Sequence, residues 1–263
     1  MINRIGIVQG RLTKSPKNRL QYFPKKWKKE FMIAKKLNFN FIEFFSERKI
    51  NKENPIWNEK KISEYKFLAK KNNLQILNFC DDYIISNKIT DNKTIKYLEN
   101  LIEKIKILGI KNLILPFYGK SNLTDVNYRN YCKVLKKFLI KYKNLNFLIE
   151  ANISPFTFKK MVKILKNKNF FFLFDTGNRI NLKRDIYSDL KIFLKFTRHI
   201  HLKDKNKEGK NVKLNTGLVN FKKIFYILKK GKYKKNFTFE TTRGTNPIEM
   251  AKFNINFLKK NFK

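Results

Sequence analysis

The sequence is poor in the residues that would mark several common designs. In 263 residues it has two cysteines, two histidines, six prolines and nine glycines, and 20 acidic side chains stand against 60 basic ones. Cys80 and Cys132 are far apart and have neither metal-type nor redox-type spacing, so a disulfide framework is not expected and both should be free, reduced thiols. No window approaches ~18 uninterrupted apolar residues, and the first residues lack the basic region and long apolar stretch of a secretory leader. These absences point to a soluble, cytoplasmic protein with no membrane partner. There is also no linker rich in Pro, Gly or Ser and no internal repeat, so one domain over residues 1–263 is expected. Two histidines are too few for a histidine-rich cluster of three zinc ions.

What is present suits a large core. Hydrophobic residues make up 42% of the chain and Phe alone contributes 26. The length lies close to the roughly 250 residues typical of an eight-stranded α/β barrel. The formal charge of +40 suggests nucleic acid or an anionic surface on its face. However, the excess is almost all Lys, is spread over every helical segment and accompanies abundant Asn, Ile and Phe, as an AT-rich genome would produce. That compositional reading is preferred, and no specific nucleic-acid partner is expected. A homo-oligomer is compatible with the sequence.

Short apolar runs alternate with longer amphipathic segments from end to end, the pattern of repeated βα units and a parallel sheet. The runs fall at 4–8, 41–45, 74–79, 112–116, 145–150, 170–175, 199–202 and 237–240. Helical spacing of apolar residues covers 26–37, 59–72, 91–108, 127–143, 156–167, 185–195, 219–230 and 247–260. Eight alternating pairs predict a single (β/α)₈ TIM barrel. An open doubly wound sheet is disfavoured because no Gly-rich phosphate turn follows the first strand.

Four of the last runs end in, or contain, a group able to bind a metal: NFLIE closes on Glu150, FFLFD on Asp175, HIHL contains His201 and FTFE closes on Glu240. Each interval corresponds to about one βα unit, so a barrel would gather all four at its C-terminal mouth. Burial disfavours an ionised carboxylate unless a cation or donors compensate, and a shared ion would compensate three at once. Three carboxylates and one imidazole favour one divalent ion, Mn²⁺ or Mg²⁺ first, with Zn²⁺ or Co²⁺ as alternatives. His199 shares the strand face of His201 and is expected to be a hydrogen-bonded interior residue rather than a ligand.

The chain resembles the sugar phosphate isomerase/epimerase group of the xylose isomerase-like barrels along nearly its whole length. The matching stretches are IGIVQGRL (5–12), FPKKWKKEF (23–31), FIEFF (41–45), NFCDDYI (78–84), ILPFYGKSNL (114–123), LIEAN (148–152), FDTGN (174–178), HIHLKDK (199–205) and FTFETTRG (237–244). The resemblance implies a metal held by Glu150, Asp175, His201 and Glu240, with Glu150 and Glu240 also acting as acid and base. It implies a small-molecule sugar or sugar phosphate as substrate and a metal-stabilised enediolate formed by proton abstraction next to a carbonyl. Ketose 3-epimerases of this superfamily carry a substrate-contacting His three residues after the metal-binding Asp; here that position is Asn178. KLNTG (213–217) also departs from the Gly-rich turn usual in the family.

Further substrate contacts are expected from Gln9 and Arg11, which follow the first strand, and from Glu43 as a polar wall at the end of the second. Asp81, Asp82 and Tyr83 are expected to form a turn that caps the next helix. Lys203 and Arg243 are candidates to hold a phosphate, although most cations of so Lys-rich a chain are expected to be exposed. Two alternatives remain at this stage: a dehydratase using the same site, and an abasic-site endonuclease, which the two-histidine count disfavours.

Overall fold

The computed structural model describes residues 4–16, 19–180 and 184–262. Eight parallel strands hydrogen-bond in a closed order, β1–β10–β7–β6–β5–β4–β3–β2, with helices between them. The strands are β1 (Arg4–Val8), β2 (Phe41–Ser46), β3 (Asn78–Asp81), β4 (Asn112–Pro116), β5 (Asn146–Glu150), β6 (Phe170–Asp175), β7 (Thr197–Leu202) and β10 (Asn236–Phe239). A small antiparallel pair, β8 (Asp204–Lys205) and β9 (Asn211–Val212), lies between the last two. By packing, the chain falls into two compact units, one of residues 4–43, 68–75 and 173–262, the other of 44–67 and 76–172.

In the first unit, β1 pairs with β10 and with the start of β2, and β10 pairs with β7 in a register that sets Thr238 opposite His201. Gly6 shows why a residue without a side chain was needed in β1. A Cβ there would overlap the Phe41 ring, which occupies that space and is fully buried. The helices of this unit are α1 (Trp27–Lys36), α7 (Thr176–Ile180), α8 (Ile186–Phe193), α9 (Phe221–Lys230) and α10 (Pro247–Asn261). Side-chain caps start three of them: Asp185 accepts from Tyr187 N, Asn220 from Lys223 N, and Asn246 from Ile248 N and Glu249 N.

The second unit holds β3, β4 and β5 with α3 (Tyr83–Ser86), α4 (Asn92–Ile107), α5 (Tyr128–Lys141), α6 (Pro155–Leu165) and most of α2 (Glu59–Lys71). Leu101, Ile102, Ile105, Leu113, Leu135, Phe147 and Phe158 form its buried apolar interior. Ser154 caps α6 with Pro155 at the first helical position, which supplies a preset φ and needs no N–H partner.

One strand departs from the sequence expectation. The third was expected at 74–79, but β3 runs Asn78–Asp81. Leu74 N bonds back to Ala69 O to close the end of α2, and Gln75 makes only an isolated bridge to Phe41. The apolar Leu74 belongs to the helix terminus, so its hydrophobicity misplaced the strand start. The short helices α3 and α7 and the β8–β9 pair were not foreseen. Among the described residues no helix is long and apolar enough to cross a membrane.

Candidate metal centre

Three strand ends of the first unit converge on one spot. Asp175 closes β6, His201 lies within β7 and Glu240 follows β10, and all three are buried. His201 Nδ1 lies 3.0 Å from Glu240 Oε2 and 3.9 Å from Asp175 Oδ2. Each carboxylate divides its work. Asp175 Oδ1 accepts from Asn178 N at 2.6 Å, and Glu240 Oε1 accepts from Gln21 Nε2 at 2.9 Å, which leaves Oδ2 and Oε2 facing the centre. Into that centre comes Lys203, whose Nζ is 2.9 Å from Asp175 Oδ2 and 2.8 Å from Glu240 Oε2. Period-two alternation explains its arrival, since His199, His201 and Lys203 fall on one face of an extended chain.

Behind the centre lies a hydrogen-bonded layer. Glu43, completely buried, places Oε1 2.7 Å from His201 Nε2 and Oε2 2.9 Å from His199 Nε2. Thr238 donates to Glu43 Oε2 at 3.1 Å and meets His199 Nε2 at 2.8 Å. With Nε2 of His201 turned to Glu43, Nδ1 is the nitrogen presented to Asp175 and Glu240. Glu43, His199 and His201 each offer a ligand atom within 4.8 Å of the others, but both Glu43 oxygens are engaged by imidazoles.

The electrostatics follow from this arrangement. Burial would raise the Glu240 carboxyl, yet Lys203, His201 and Arg11 together hold it well below the usual range. Burial alone would likewise raise Glu43, and the charge of His201 with the hydrogen bonds from both imidazoles reverses that. Burial lowers His201, but Glu43 and Glu240 carry it well above the ordinary imidazole range; in His199 burial prevails and the ring is pushed down.

The other expected contacts are placed as follows. Gln9 Nε2 donates to Glu30 Oε2 at 2.6 Å, and Arg11 Nη2 donates to Gln21 Oε1 at 2.7 Å while lying 3.9 Å from Glu240 Oε1. Glu43 is enclosed between two histidines. Asn178 reaches Asp175 through its backbone N–H. Arg243, expected to be exposed, is buried; Nε donates to Gly10 O at 2.6 Å and Nη1 to Arg19 O at 2.6 Å, tying down the loop after β1. Burial and the nearby Arg11 charge lower the Arg243 guanidinium to about 9. Lys203 is buried as well. In the second unit, Glu150 closes β5 and accepts from the Tyr118 hydroxyl at 3.0 Å. Asp82 precedes α3 without a side-chain cap bond, and Asp81 accepts from Tyr83 N at 3.4 Å.

Sequence reasoning missed Gln21, Tyr118, Thr176 and Thr238. Thr238 alone carried a signal, lying two residues before Glu240 on the same strand face; the others come from loops or depend on distant partners. Asp204 opens β8 in the unforeseen β8–β9 pair and organises the altered 213–217 stretch, accepting from Gly217 N at 2.9 Å and Val219 N at 3.0 Å.

The donor set fits a hard or borderline divalent ion: two carboxylate oxygens and an imidazole nitrogen, at separations that two ligands about 2.0–2.3 Å from one ion can span. A closed parallel barrel with acids and an imidazole at its strand ends defines a class that places its chemistry at that mouth. The chain belongs to the xylose isomerase-like TIM barrel family, whose match spans residues 31–261. No curated protein matches it by sequence. Among solved structures it is similar to an L-ribulose 3-epimerase, with a TM-score of 0.77 at 15% identity, covering 100% of this chain and 95% of that one. It is also similar to D-psicose 3-epimerase from Clostridium cellulolyticum H10, with a TM-score of 0.75 at 12% identity and 99% of both chains covered. A third neighbour is a probable 3-DHS dehydratase from Bacillus anthracis, with a TM-score of 0.73 at 13% identity, covering 97% of this chain and 98% of that one. At such identities the likeness establishes the fold.

Proposed function

We infer that the protein is a divalent-metal-dependent isomerase or epimerase of a sugar or sugar phosphate, working as a single domain. The observation that carries this reading is the convergence of Asp175 Oδ2, His201 Nδ1 and Glu240 Oε2 at the ends of three strands. Glu150 is proposed as the fourth ligand, because it closes β5 as Asp175 closes β6. When bound, the ion supplies Lewis-acid polarisation of a substrate carbonyl.

The chain's own residues supply the proton chemistry. Glu240 takes the proton from the carbon next to the carbonyl, and Glu150, held by Tyr118, delivers one back to the substrate. Return to the opposite face gives an epimer, and return to the adjacent carbon gives an isomer. Gln21 and Asn178 N fix the outer oxygens of Glu240 and Asp175, so both groups keep their aim. Arg11 lies beside Glu240 and is proposed to contact the substrate's oxygens, with Gln9, Asn178, Lys203 and Arg243 as further proposed contacts. A dehydratase would share the first proton removal and then expel a β-hydroxyl; the dehydratase among the neighbours makes it the second reading.

The test is incubation of Mn²⁺- or Mg²⁺-loaded protein with ketoses, aldoses and their phosphates in deuterated water. Deuterium at the carbon next to the carbonyl, lost on chelation, supports the reading. Absence of exchange together with cleavage of abasic DNA that persists at high salt would overturn it, since charge-driven binding collapses with salt.

A further inference from the structure

We propose that Lys203 is a built-in counter-ion of this centre, which a divalent metal must displace from Asp175 and Glu240 in order to bind. The inference rests on the metal-dependent reading and concerns how the same site changes cation.

The atoms that would ligate an ion are the ones the ammonium now holds. Lys203 Nζ contacts Asp175 Oδ2 at 2.9 Å and Glu240 Oε2 at 2.8 Å, and those two oxygens lie 3.9 and 3.0 Å from His201 Nδ1. The placement is built rather than a chance fold of a long side chain. Thr176 Oγ1 ties the Lys203 main chain on both sides, donating to its O at 2.6 Å and accepting from its N at 2.9 Å. Gly177 opens the path for the stem: a Cβ there would lie 2.7 Å from Lys203 Cγ and 3.0 Å from both Cβ and Cδ. These are atoms near the root of the side chain, which cannot swing aside without moving the head. At 3% exposure the whole residue is enclosed.

Charge then forbids both cations from holding the same oxygens. Even at an effective dielectric constant of about 20, the repulsion between a divalent ion and an ammonium about 4 Å apart exceeds the net worth of an ordinary hydrogen bond. The ammonium therefore leaves its contacts when the ion arrives. Metal affinity becomes a difference between two cations' interactions with one pair of carboxylates, and in the metal-free protein Lys203 keeps those carboxylates compensated.

The experiment uses the full chain and Mn²⁺ alone. Titration calorimetry on wild type and Lys203→Met should show at least ~10-fold tighter Mn²⁺ binding by the variant, because the competing charge is gone. Equal or weaker binding overturns displacement. Gly177→Ala, which pushes the stem off its path, should shift Mn²⁺ affinity in the same direction by a smaller factor. Amine acetylation read by peptide mass spectrometry tests wild type directly, should the variants not fold. Lys203 should be protected in chelator and modified faster with Mn²⁺ present, and equal modification overturns the proposal. If wild type and Lys203→Met bind Mn²⁺ equally, only displacement fails; if neither binds any divalent ion, the metal-dependent function fails with it.

Discussion

Asp81 and Glu240 are both buried acids at strand ends, in different units, and their surroundings treat charge in opposite ways. Glu240 has cations for company: Lys203 at 2.8 Å, His201 at 3.0 Å and Arg11 at 3.9 Å, and its carboxyl stays well below the usual range. Asp81 is met by neutral donors, the hydroxyls of Ser46 and Tyr97 and the amide of Tyr83, and burial raises it to about 6. Hydrogen bonds alone do not repay the lost water, whereas nearby positive charge does. The first arrangement maintains anions ready for a cation or a proton; the second is content with a neutral acid.

The largest effect should come from removing the proton acceptor. Glu240→Gln keeps an oxygen and the shape but should lower turnover and solvent-proton exchange by about 10²–10⁴-fold even in protein whose metal content is verified as full. Asp175→Asn should fail through lost metal and recover partly in excess ion. Near-normal exchange in the metal-filled Gln variant would remove Glu240 from the proton-transfer role.

Asp81→Asn should expose the other arrangement through pH. The folded-state value of about 6 lies above the ordinary 3.8, so the carboxyl's favourable contribution is complete below about 3.8 and disappears as pH rises through about 6. By pH 7.5 the wild type should have lost about 3 kcal/mol relative to the Asn variant, whose amide does not ionise. Denaturant unfolding of both proteins from pH 4 to 7.5 measures it. A difference that stays constant with pH would mean that hydroxyl donors hold an anion there as well as cations do at Glu240.

Smaller again is the change expected at Glu43, which meets the centre through His201. Glu43→Gln removes the charge but retains an acceptor for Nε2, and metal affinity by titration should weaken about 10–100-fold. At the exposed end of the series stands Glu249, paired with Lys252 at 2.9 Å within one helix turn. Glu249→Gln should alter stability by no more than about 0.5 kcal/mol, because water already solvates both partners.

Much of the architecture was readable because short apolar runs alternating with longer amphipathic segments are a strong pattern. The runs at 4–8, 112–116 and 170–175 coincide with strands at both ends. Gathering Asp175, His201 and Glu240 needed only the rule that strand ends share one mouth. The role of Lys203 was hidden among the chain's 60 basic residues, because composition gives no way to single out one Lys; its position just past β7 and the bare Gly177 beside its stem are visible only together, after folding. Glu43 was misplaced for a related reason. Its strand position was evident, but which side chains it met depended on His199 and His201, more than 150 residues away.

The loop after β1 has an unusual origin. Gln9 Nε2, Gly10 N, Leu12 N and Thr13 Oγ1 all donate to the Glu30 carboxylate on α1, at distances from 2.6 to 3.1 Å. The shape of residues 9–13 is thus written in a side chain about twenty positions downstream rather than in its own turn chemistry. In folding, this loop has no reason to settle before the first helix docks. In transplantation, residues 9–13 moved to another scaffold without their helix would carry the letters of the loop but not its form.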